Sequence, residues 1–300
     1  MEQAVRLDDG FLGEDLKARY REDGFLFPIQ AVGAAEAADW RGRLEDVERE
    51  WLGADLPHPL NQYKRVNAHV VMPLVAEIAC HRAILDCVEG ILGENLMVWS
   101  AEFFIKEAET TQIVSWHQDL TYWGLGATDN QCTAWLALSP ATAESGCMRF
   151  VAGSHKQAIV PHEDTFDENN LLSRGQEIAV EVDEDEATDI VLQPGQMSLH
   201  HGLTFHASGP NRSTDRRIGV AIRYINPDAR QEVADRDFAM LARGVDTTGN
   251  FINLAKPDRL FAPRALRLYD EIRAEQAKAL AKGAPRTKLY AASPGVRAAE

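Results

Sequence analysis

The chain is short of basic residues and of long apolar runs. Its 300 residues include 31 Lys and Arg against 46 Asp and Glu, so the formal net charge is −15. Nucleic acids and anionic membrane surfaces are bound by clustered lysine and arginine side chains, and this balance disfavours both as partners. No apolar run approaches the ~18 residues of a membrane span. The expected partner is therefore a small molecule, and homo-oligomers stay possible.

Cysteine is also scarce, with four residues that form no C-x-x-C pair. Cys80, Cys87, Cys132 and Cys147 are therefore interpreted as buried thiols of a reducing compartment rather than as a disulfide framework. The first residues, MEQAVRLDDGFLGEDL, are acidic and lack the apolar segment of a secretory signal. These features together lead us to expect a cytoplasmic protein.

Hydrophobic periodicity changes along the chain. Residues 1–95 read as mainly helical, with a clear helical spacing of apolar residues over 34–51. Over 96–227, short runs rich in Val, Ile, Phe and Trp alternate with Gly, Pro, Asp and Asn. Seven or more such runs predict strands of a sandwich or barrel. We find no linker that would divide residues 1–300, and a single domain is predicted.

Two polar segments, 161–176 and 228–262, interrupt or follow the strand-rich part. Such excursions are the usual place for active-site lids. An amphipathic helix over 264–280 is predicted to close the fold, so that an insert and this helix fill residues 228–282. Residues 283–300 are rich in Ala, Lys, Pro and Gly and are expected to fray.

A possible metal site lies in the strand-like segment Ser115-Trp116-His117-Gln118-Asp119. Alternation along a strand would place His117 and Asp119 on the same face, where an imidazole and a carboxylate can bind one ion side by side. A second imidazole would complete the two-histidine, one-carboxylate triad of Fe(II) oxygenases. An H-x-D triplet alone is more often a surface pair, so its context must decide.

That context is the segment 195–211, GQMSLHHGLTFHASGPN, in which His200, His201 and His206 compete for the third position. Only His206 is followed by Ala-Ser-Gly-Pro-Asn and, eleven residues on, by Arg217. With these motifs the chain resembles the phytanoyl-CoA dioxygenase family over roughly residues 96–225. That family has a strand H-x-D, a PG-hydrophobic-H…HxSGxN strand-turn and an arginine on the next strand.

The resemblance implies an α+β, mainly β fold. Its centre would be a double-stranded β-helix, that is, a jelly-roll or cupin-like barrel, flanked by N-terminal and C-terminal helices. It also implies that His117, Asp119 and His206 bind Fe(II). Arg217 would clamp the distal carboxylate of 2-oxoglutarate, with Ser208 as a hydroxyl partner. Trp135 would lie beside this cosubstrate.

The choice of Arg217 over its neighbour Arg216 follows from strand alternation. In R-I-G-V-A-I-R-Y, Arg217, Gly219, Ala221 and Arg223 share one face, and the aliphatic residues share the other. The small and charged face suits a barrel interior with room for a ligand. A guanidinium fork can also form two parallel charge-assisted bonds to a carboxylate, which a lysine cannot.

The resemblance further implies the reaction of an Fe(II)- and 2-oxoglutarate-dependent dioxygenase. Such an enzyme uses O2 to hydroxylate an unactivated C–H bond and releases succinate and CO2. In halogenating relatives the triad carboxylate is replaced by Ala or Gly, which frees a site for chloride. Because Asp119 is present, hydroxylation is expected and halogenation is disfavoured.

The substrate is suggested by the residues around the metal motif. Four of the six tryptophans, at positions 99, 116, 123 and 135, cluster there. They are either barrel core or an aromatic wall that could hold a cationic group. Glu102, Trp123 and Gln112 are the candidate substrate contacts, and the hypothesis is a small polar or zwitterionic metabolite rather than an acyl-CoA. The roles of Lys106, Arg65 and His155 stay open.

Two other functions compete with this one. A cupin-like barrel could use the same ligands with another metal for non-redox lyase or isomerase chemistry, but that chemistry needs no keto-acid clamp such as Arg217 and Ser208. The chain could also be a non-catalytic sensor on the same scaffold. An intact set of ligands argues against a sensor, because degeneration usually removes a ligand first.

Overall fold

The computed structural model describes residue 5 and residues 7–165, 169–172 and 176–281, so the tail predicted to fray lies outside it. The helices are α1 (Glu14–Asp23), α2 (Ala34–Trp51), α3 (Leu60–Arg65), α4 (Ala68–Val71), α5 (Pro73–Ala79), α6 (Arg82–Leu92) and α7 (Pro263–Ala281). The strands are β1 (Phe25–Gln30), β2 (Leu96–Lys106), β3 (Val114–His117), β4 (Gln131–Ala137), β5 (Met148–Val151), β6 (His162–Asp164), β7 (Gln176–Ile178), β8 (Ala187–Ile190), β9 (Gln196–His200), β10 (His206–Ser208), β11 (Arg217–Ile225), β12 (Phe238–Arg243) and β13 (Ile252–Asn253).

Most strands form two sheets that pack face to face. The large sheet has the order β1-β9-β4-β11-β2-β12-β13, and the small sheet has the order β3-β10-β5-β8. Trp135 and Ala221 of the large sheet share one buried apolar cluster with Phe150 and Ile190 of the small sheet. The two inner faces therefore enclose a common core, as in the jelly-roll predicted from the sequence.

The outer face of the large sheet is covered by helices. Ile218, Val220 and Ile222 belong to the same buried cluster as Trp40 and Leu44 of α2. Burying each such aliphatic side chain contributes about 1.5–3 kcal/mol. The aliphatic face predicted for β11 thus packs outward against the helices, and its small and charged face is left to the interior. None of the described helices is long and apolar enough to cross a membrane.

Three segments depart from the expected outline. The mainly helical N-terminal part also supplies β1, which pairs with β9 at the edge of the large sheet. The polar segment 228–262 contributes β12, which pairs with β2, and therefore extends the sheet. Residues 178–183, IAVEVD, form one of the Val- and Ile-rich runs that predict strands, yet only Ile178 belongs to a strand. Pairing with strands distant in sequence decides these assignments, and local patterns do not reveal it.

Candidate active site

The small sheet brings the three predicted metal ligands together. His117 ends β3, and His206 begins β10 directly opposite it in the antiparallel register. The prediction that Asp119 continues the strand is wrong, because a short 3-10 helix begins at this residue. Gln118 is still extended, with φ −117° and ψ 127°, so Asp119 returns to the face of His117.

The geometry of these three side chains suits a single ion. One ligand atom from each residue lies within 4.8 Å of the others, and all three residues are buried. Asp119 Oδ1 is 3.5 Å from His117 Nε2 and 4.0 Å from His206 Nε2. Two imidazoles and one carboxylate with further positions left open are the donor set of non-haem Fe(II). Within the described ranges, no other group of His, Cys, Asp and Glu side chains meets this geometry.

Backbone carbonyls orient both imidazoles. His117 Nδ1 lies 2.9 Å from the carbonyl oxygen of Ser115, and His206 Nδ1 lies 2.9 Å from that of Thr204. With each Nδ1–H donating to a carbonyl, the Nε2 lone pair faces the shared centre, as a metal ligand requires. Burial lowers the pKa of His206 to about 4, which keeps its imidazole neutral at neutral pH.

Asp119 stays ionised although it is buried. Burial alone would raise the pKa of this carboxyl group, but its hydrogen bond with His117 and the positive charge of Arg223 help to lower it. The resulting pKa lies well below the usual range of an aspartate. The triad therefore presents an ionised carboxylate beside the neutral imidazole of His206.

A cavity joins the triad to the large sheet. It encloses about 490 Å³, part of which is open solvent. Its walls come from both sheets and from the segment after β6, and they consist of Phe104, Val114, His117, Asp119, Thr133, Trp135, Met148, Leu172, His200, His206, Ala207, Ser208, Arg217, Ala221 and Arg223. Arg217, Ala221 and Arg223 line it together, which is the β11 face predicted by alternation.

One end of the cavity holds two buried basic side chains. Lys106 of β2 and Arg217 of β11 are register partners and are 0% and 1% exposed. Lys106 Nζ donates to Ser208 Oγ at 2.7 Å, and Arg217 Nη1 donates to the carbonyl of Gly146 at 2.7 Å. Burial lowers the pKa of Lys106 to about 6 and that of Arg217 to about 10. No carboxylate of the described residues pairs with either cation, so this end favours an anionic ligand.

Aromatic rings fix the plane of the guanidinium. The Arg217 Cζ atom lies 5.2 Å from the ring centroid of Trp135 and 5.7 Å from that of Phe104. The indole in turn lies against β11 at Gly219, where an added Cβ would come within 2.0 Å of a Trp135 ring atom. A glycine is therefore required at this position for Trp135 to reach Arg217.

A second pair of charges lies nearer the triad. Arg223 Nη1 is 2.9 Å from Glu102 Oε1, and the two side chains are only 12% and 14% exposed. The Arg223 guanidinium also lies 5.3 Å from the ring centroid of Trp123. Burial raises the pKa of Glu102, and the charges of Arg223 and Arg65 oppose this shift. Glu102 and Trp123 thus contact Arg223, which lines the cavity, and are not themselves among its lining residues.

Not every predicted contact is in the cavity. Gln112 does not line it, and the backbone N–H of this residue donates to Thr110 Oγ1 at 3.3 Å. His155 stacks near His201, with ring centroids 5.5 Å apart, and is also outside the lining. Arg65 lies 5.0 Å from the ring centroid of Phe104, which does line the cavity.

Four lining or clamping residues were not assigned roles from the sequence. The sequence left the role of Lys106 open and placed Arg223 on the same strand face as Arg217 without a function. His200 was considered only as a competitor for the third metal position, and Thr133 was not considered. Alternation on β2 and β4, combined with the pairing order of the strands, is the signal that would have placed them. That order is not visible in the sequence.

Comparison with known proteins agrees with this arrangement. The family model of phytanoyl-CoA dioxygenase (PhyH) matches residues 20–219. A probable phytanoyl-CoA dioxygenase of Caenorhabditis elegans is 24% identical over 74% of this chain and 78% of the relative. A probable alpha-ketoglutarate-dependent hypophosphite dioxygenase of Stutzerimonas stutzeri is 29% identical over 54% of this chain and 57% of the relative. The apo structure of the non-haem monooxygenase ThoJ has a TM-score of 0.80 at 35% identity and covers 89% of this chain and 98% of its own.

Proposed function

Because the chain belongs to the phytanoyl-CoA dioxygenase (PhyH) family of Fe(II)- and 2-oxoglutarate-dependent oxygenases, we propose that His117, Asp119 and His206 hold its iron. The chain is a 2-oxoglutarate-dependent dioxygenase with Fe(II), 2-oxoglutarate and O2 as cofactors. The convergence of three oriented ligand atoms within 4.8 Å supports this assignment of the metal ligands. The neutral imidazole of His206 and the ionised carboxylate of Asp119 are already in the protonation states that metal binding needs.

The cosubstrate site is proposed at the end of the cavity that holds Arg217. Its guanidinium would receive the distal carboxylate of 2-oxoglutarate, with Ser208 as a hydroxyl partner and Trp135 beside it. Lys106, which donates to Ser208 Oγ at 2.7 Å, would add a second positive charge. The observation that carries this proposal is the pair of buried basic side chains without a carboxylate partner among the described residues, since their positive charge is stabilised there only when an anionic ligand compensates it.

The proposed reaction is hydroxylation of an unactivated C–H bond in a small polar or zwitterionic metabolite. The bound iron, 2-oxoglutarate and O2 supply the oxidant, and 2-oxoglutarate leaves as succinate and CO2. The chain itself holds the substrate's C–H bond close to the triad and keeps bulk water out of the cavity. Asp119 occupies the position that halogenating relatives leave open to chloride, which favours hydroxylation.

Succinate release tests this function. Purified protein with Fe(II), ascorbate, O2 and 2-oxoglutarate is expected to form succinate, and addition of a substrate should accelerate it. His117→Ala should lose both iron binding and succinate formation, while His155→Ala, outside the cavity, should keep both. If the wild-type protein bound no 2-oxoglutarate and formed no succinate, a non-redox lyase or isomerase, or a sensor, would replace the dioxygenase.

A further inference from the structure

The two polar ends of the cavity differ in their charge balance. The Lys106 and Arg217 end has two basic side chains and, among the described residues, no carboxylate partner. At the other end, Arg223 pairs with the carboxylate of Glu102 at 2.9 Å. The two arginines are six positions apart on β11, which corresponds to ~20 Å along an extended strand. A ligand suited to one end is therefore unsuited to the other.

The second end is the one beside the triad. Arg223 is the register partner of Thr133, and Thr133 is the register partner of His200, whose ring centroid lies 5.2 Å from that of the metal ligand His206. Arg223, His117 and Asp119 also line the same cavity. A molecule held by Arg223 and Glu102 would therefore lie next to the metal ligands, as a substrate must.

A purely structural role explains this ion pair poorly. Strands β2 and β11 are already joined by backbone pairing from Arg217 to Ile225, with one shift of register between Arg223 and Tyr224. Bringing two charges into a protein interior costs desolvation energy that the pair's attraction often fails to recover, and apolar replacements can be neutral or stabilising. Both side chains lie on the cavity face of the sheet, where a ligand can use them.

We propose that Arg223 and Glu102 are the recognition pair for a zwitterionic substrate, with its carboxylate on Arg223 and its ammonium group on Glu102. This inference rests on the proposed dioxygenase function and names the substrate class of the same site. A ligand with one charge of each sign and no net charge complements a pair that also has no net charge. A dianion such as 2-oxoglutarate would be repelled by the Glu102 carboxylate. A cation alone would engage Glu102 and leave the positive charge of Arg223 without compensation.

Neighbouring groups support such a ligand. The Arg223 guanidinium is held 5.3 Å from the Trp123 ring centroid, which restricts its plane for a two-bonded contact with a carboxylate. Thr133 is the register partner of Arg223 and of His200, and both partners line the cavity. His200 is 2% exposed, and its Nδ1 has no hydrogen-bond partner within the described part of the chain. These neutral groups could bind further polar atoms of the substrate.

The test uses the full chain loaded with Fe(II) and 2-oxoglutarate without oxygen, and titration calorimetry. The probes are the proteinogenic L-amino acids, each compared with its amide, which lacks the carboxylate, and its N-acetyl form, which lacks the ammonium group. The wild-type protein is expected to bind at least one zwitterion. Its affinity for both capped forms of that compound is expected to be lower by a factor of at least roughly 30.

Two variants separate the two contacts. Arg223→Met should abolish the preference for the zwitterion over its amide, and Glu102→Gln should abolish the preference over the N-acetyl form. Arg43→Met is the matched control, because it breaks an exposed pair with Glu77 that lies outside the cavity lining. This control should keep both preferences. Far-ultraviolet circular dichroism and iron content report whether each variant still has a folded site.

The outcomes distinguish this inference from the proposed function. Binding of iron and 2-oxoglutarate without binding of any zwitterion, or preference for a capped form, would overturn the inference and leave the dioxygenase standing. Absence of 2-oxoglutarate binding in the wild-type protein would instead overturn the proposed function. Retained zwitterion preference in both variants would show that other residues recognise the substrate.

Discussion

Lys106 is an unusual single residue, because it is a fully buried lysine without a carboxylate partner among the described residues. Burial and the charges of Arg217 and Arg65 lower its pKa to about 6, and the nearby Cys147 only partly opposes them. The thiol of Cys147 stays neutral at neutral pH because burial raises its pKa to about 11. In the ligand-free protein, Lys106 is thus mostly uncharged above pH 7.

Binding of 2-oxoglutarate is therefore expected to take up a proton. The dianion favours the charged form of Lys106, so the pKa of this group is higher in the complex than about 6, its value in the free protein. The contribution of Lys106 to affinity is then complete below that value and is lost as pH rises through the pKa of the complex. Calorimetric titration at pH 7.5 in two buffers of different ionisation enthalpy should show uptake of roughly one proton.

The control for this experiment is Lys106→Met, which should bind 2-oxoglutarate more weakly and without proton uptake. The aliphatic stem of methionine replaces most of the buried volume of the lysine. Equal binding heats in the two buffers for the wild-type protein would contradict this prediction. They would show that Lys106 is charged before the ligand binds, or that ligand binding does not change its protonation.

The clamp arginine gives a second prediction at the scale of one residue. Arg217→Lys keeps the positive charge but loses the planar fork that Trp135 and Phe104 hold in place. We expect 2-oxoglutarate affinity to fall by about 1.5–3 kcal/mol, the usual value of a hydrogen bond to a charged group. Equilibrium titration measures this loss, and Arg216→Lys is the matched control on the outer face of the sheet.

Arg216 is suited to that control because its partners are Glu48 and Glu107, both outside the cavity. Equal losses in the two variants would contradict the assignment of Arg217 as the clamp.

At the scale of the element, strand β11 separates two environments by simple alternation. Its aliphatic face packs against helices, and its other face carries Arg217, Gly219 and Arg223, of which the two arginines line the cavity. The glycine is the most constrained of the three, because the Trp135 indole occupies the space of its missing side chain. The strand and the indole therefore act together in placing the guanidinium.

Gly219→Ala is predicted to displace Trp135 and to destabilise the protein by about 1–3 kcal/mol, the usual cost of overpacking. Affinity for 2-oxoglutarate should fall with it, because Arg217 loses its aromatic support. Denaturant unfolding and 2-oxoglutarate titration measure the two effects. Gly42→Ala in α2 is the control: nothing lies within 4 Å of an added Cβ there, and the helix should gain about 0.5–1 kcal/mol.

The elements also show how far sequence reasoning reaches. Apolar runs bounded by turn residues predicted β2 and β4, alternation assigned the two faces of β11, and the H-x-D and HxSGxN motifs predicted the ligand positions that the structure brings together. The 3-10 helix at Asp119 was missed because Gln118 before it is still extended, so the strand-like pattern of β3 runs on to its first residue. β12 was missed because half of its residues are partly exposed, so its segment resembled a loop.

The segment 161–176 falls between these cases. Its polar composition predicted a lid, and Leu172 does line the cavity. Asn170 Nδ2 donates to Ser115 Oγ at 3.0 Å, and the N–H of Leu171 donates to the carbonyl of Ile113 at 2.9 Å. Residues 169–172 are thus fixed beside β3 by contacts between residues far apart in sequence, which local patterns cannot reveal.

For the whole molecule, the contrast is between an acidic protein and a cavity end that is cationic. The formal net charge is −15, yet Lys106 and Arg217 lie together without a carboxylate partner among the described residues. Composition disfavours polyanionic partners, but it says nothing of a local field inside the cavity. A small dianion can reach this end because the cavity, and not the acidic surface, determines the potential it meets.

The two sheets are expected to be coupled by their ligands. The metal ligands His117 and His206 lie in strands of the small sheet, and Asp119 lies two residues after one of them. Arg217 and Lys106 belong to the large sheet. A 2-oxoglutarate molecule that chelates the metal and reaches Arg217 would therefore connect one sheet to the other. Metal ion and keto acid together should stabilise the fold by more than the sum of their separate effects.

Thermal unfolding with Mn(II), with 2-oxoglutarate and with both tests this coupling, since Mn(II) fills the same oxygen- and nitrogen-ligand site without turnover. A ligand that binds only the folded protein adds about 2.7 kcal/mol at roughly 100 times its Kd, so the shift is measurable. His206→Ala should abolish the extra stabilisation, because it removes the metal that anchors the keto acid. Arg217→Lys should reduce the extra stabilisation while leaving the effect of Mn(II) alone. Purely additive shifts in the wild-type protein would mean that the two ligands do not meet across the sheets.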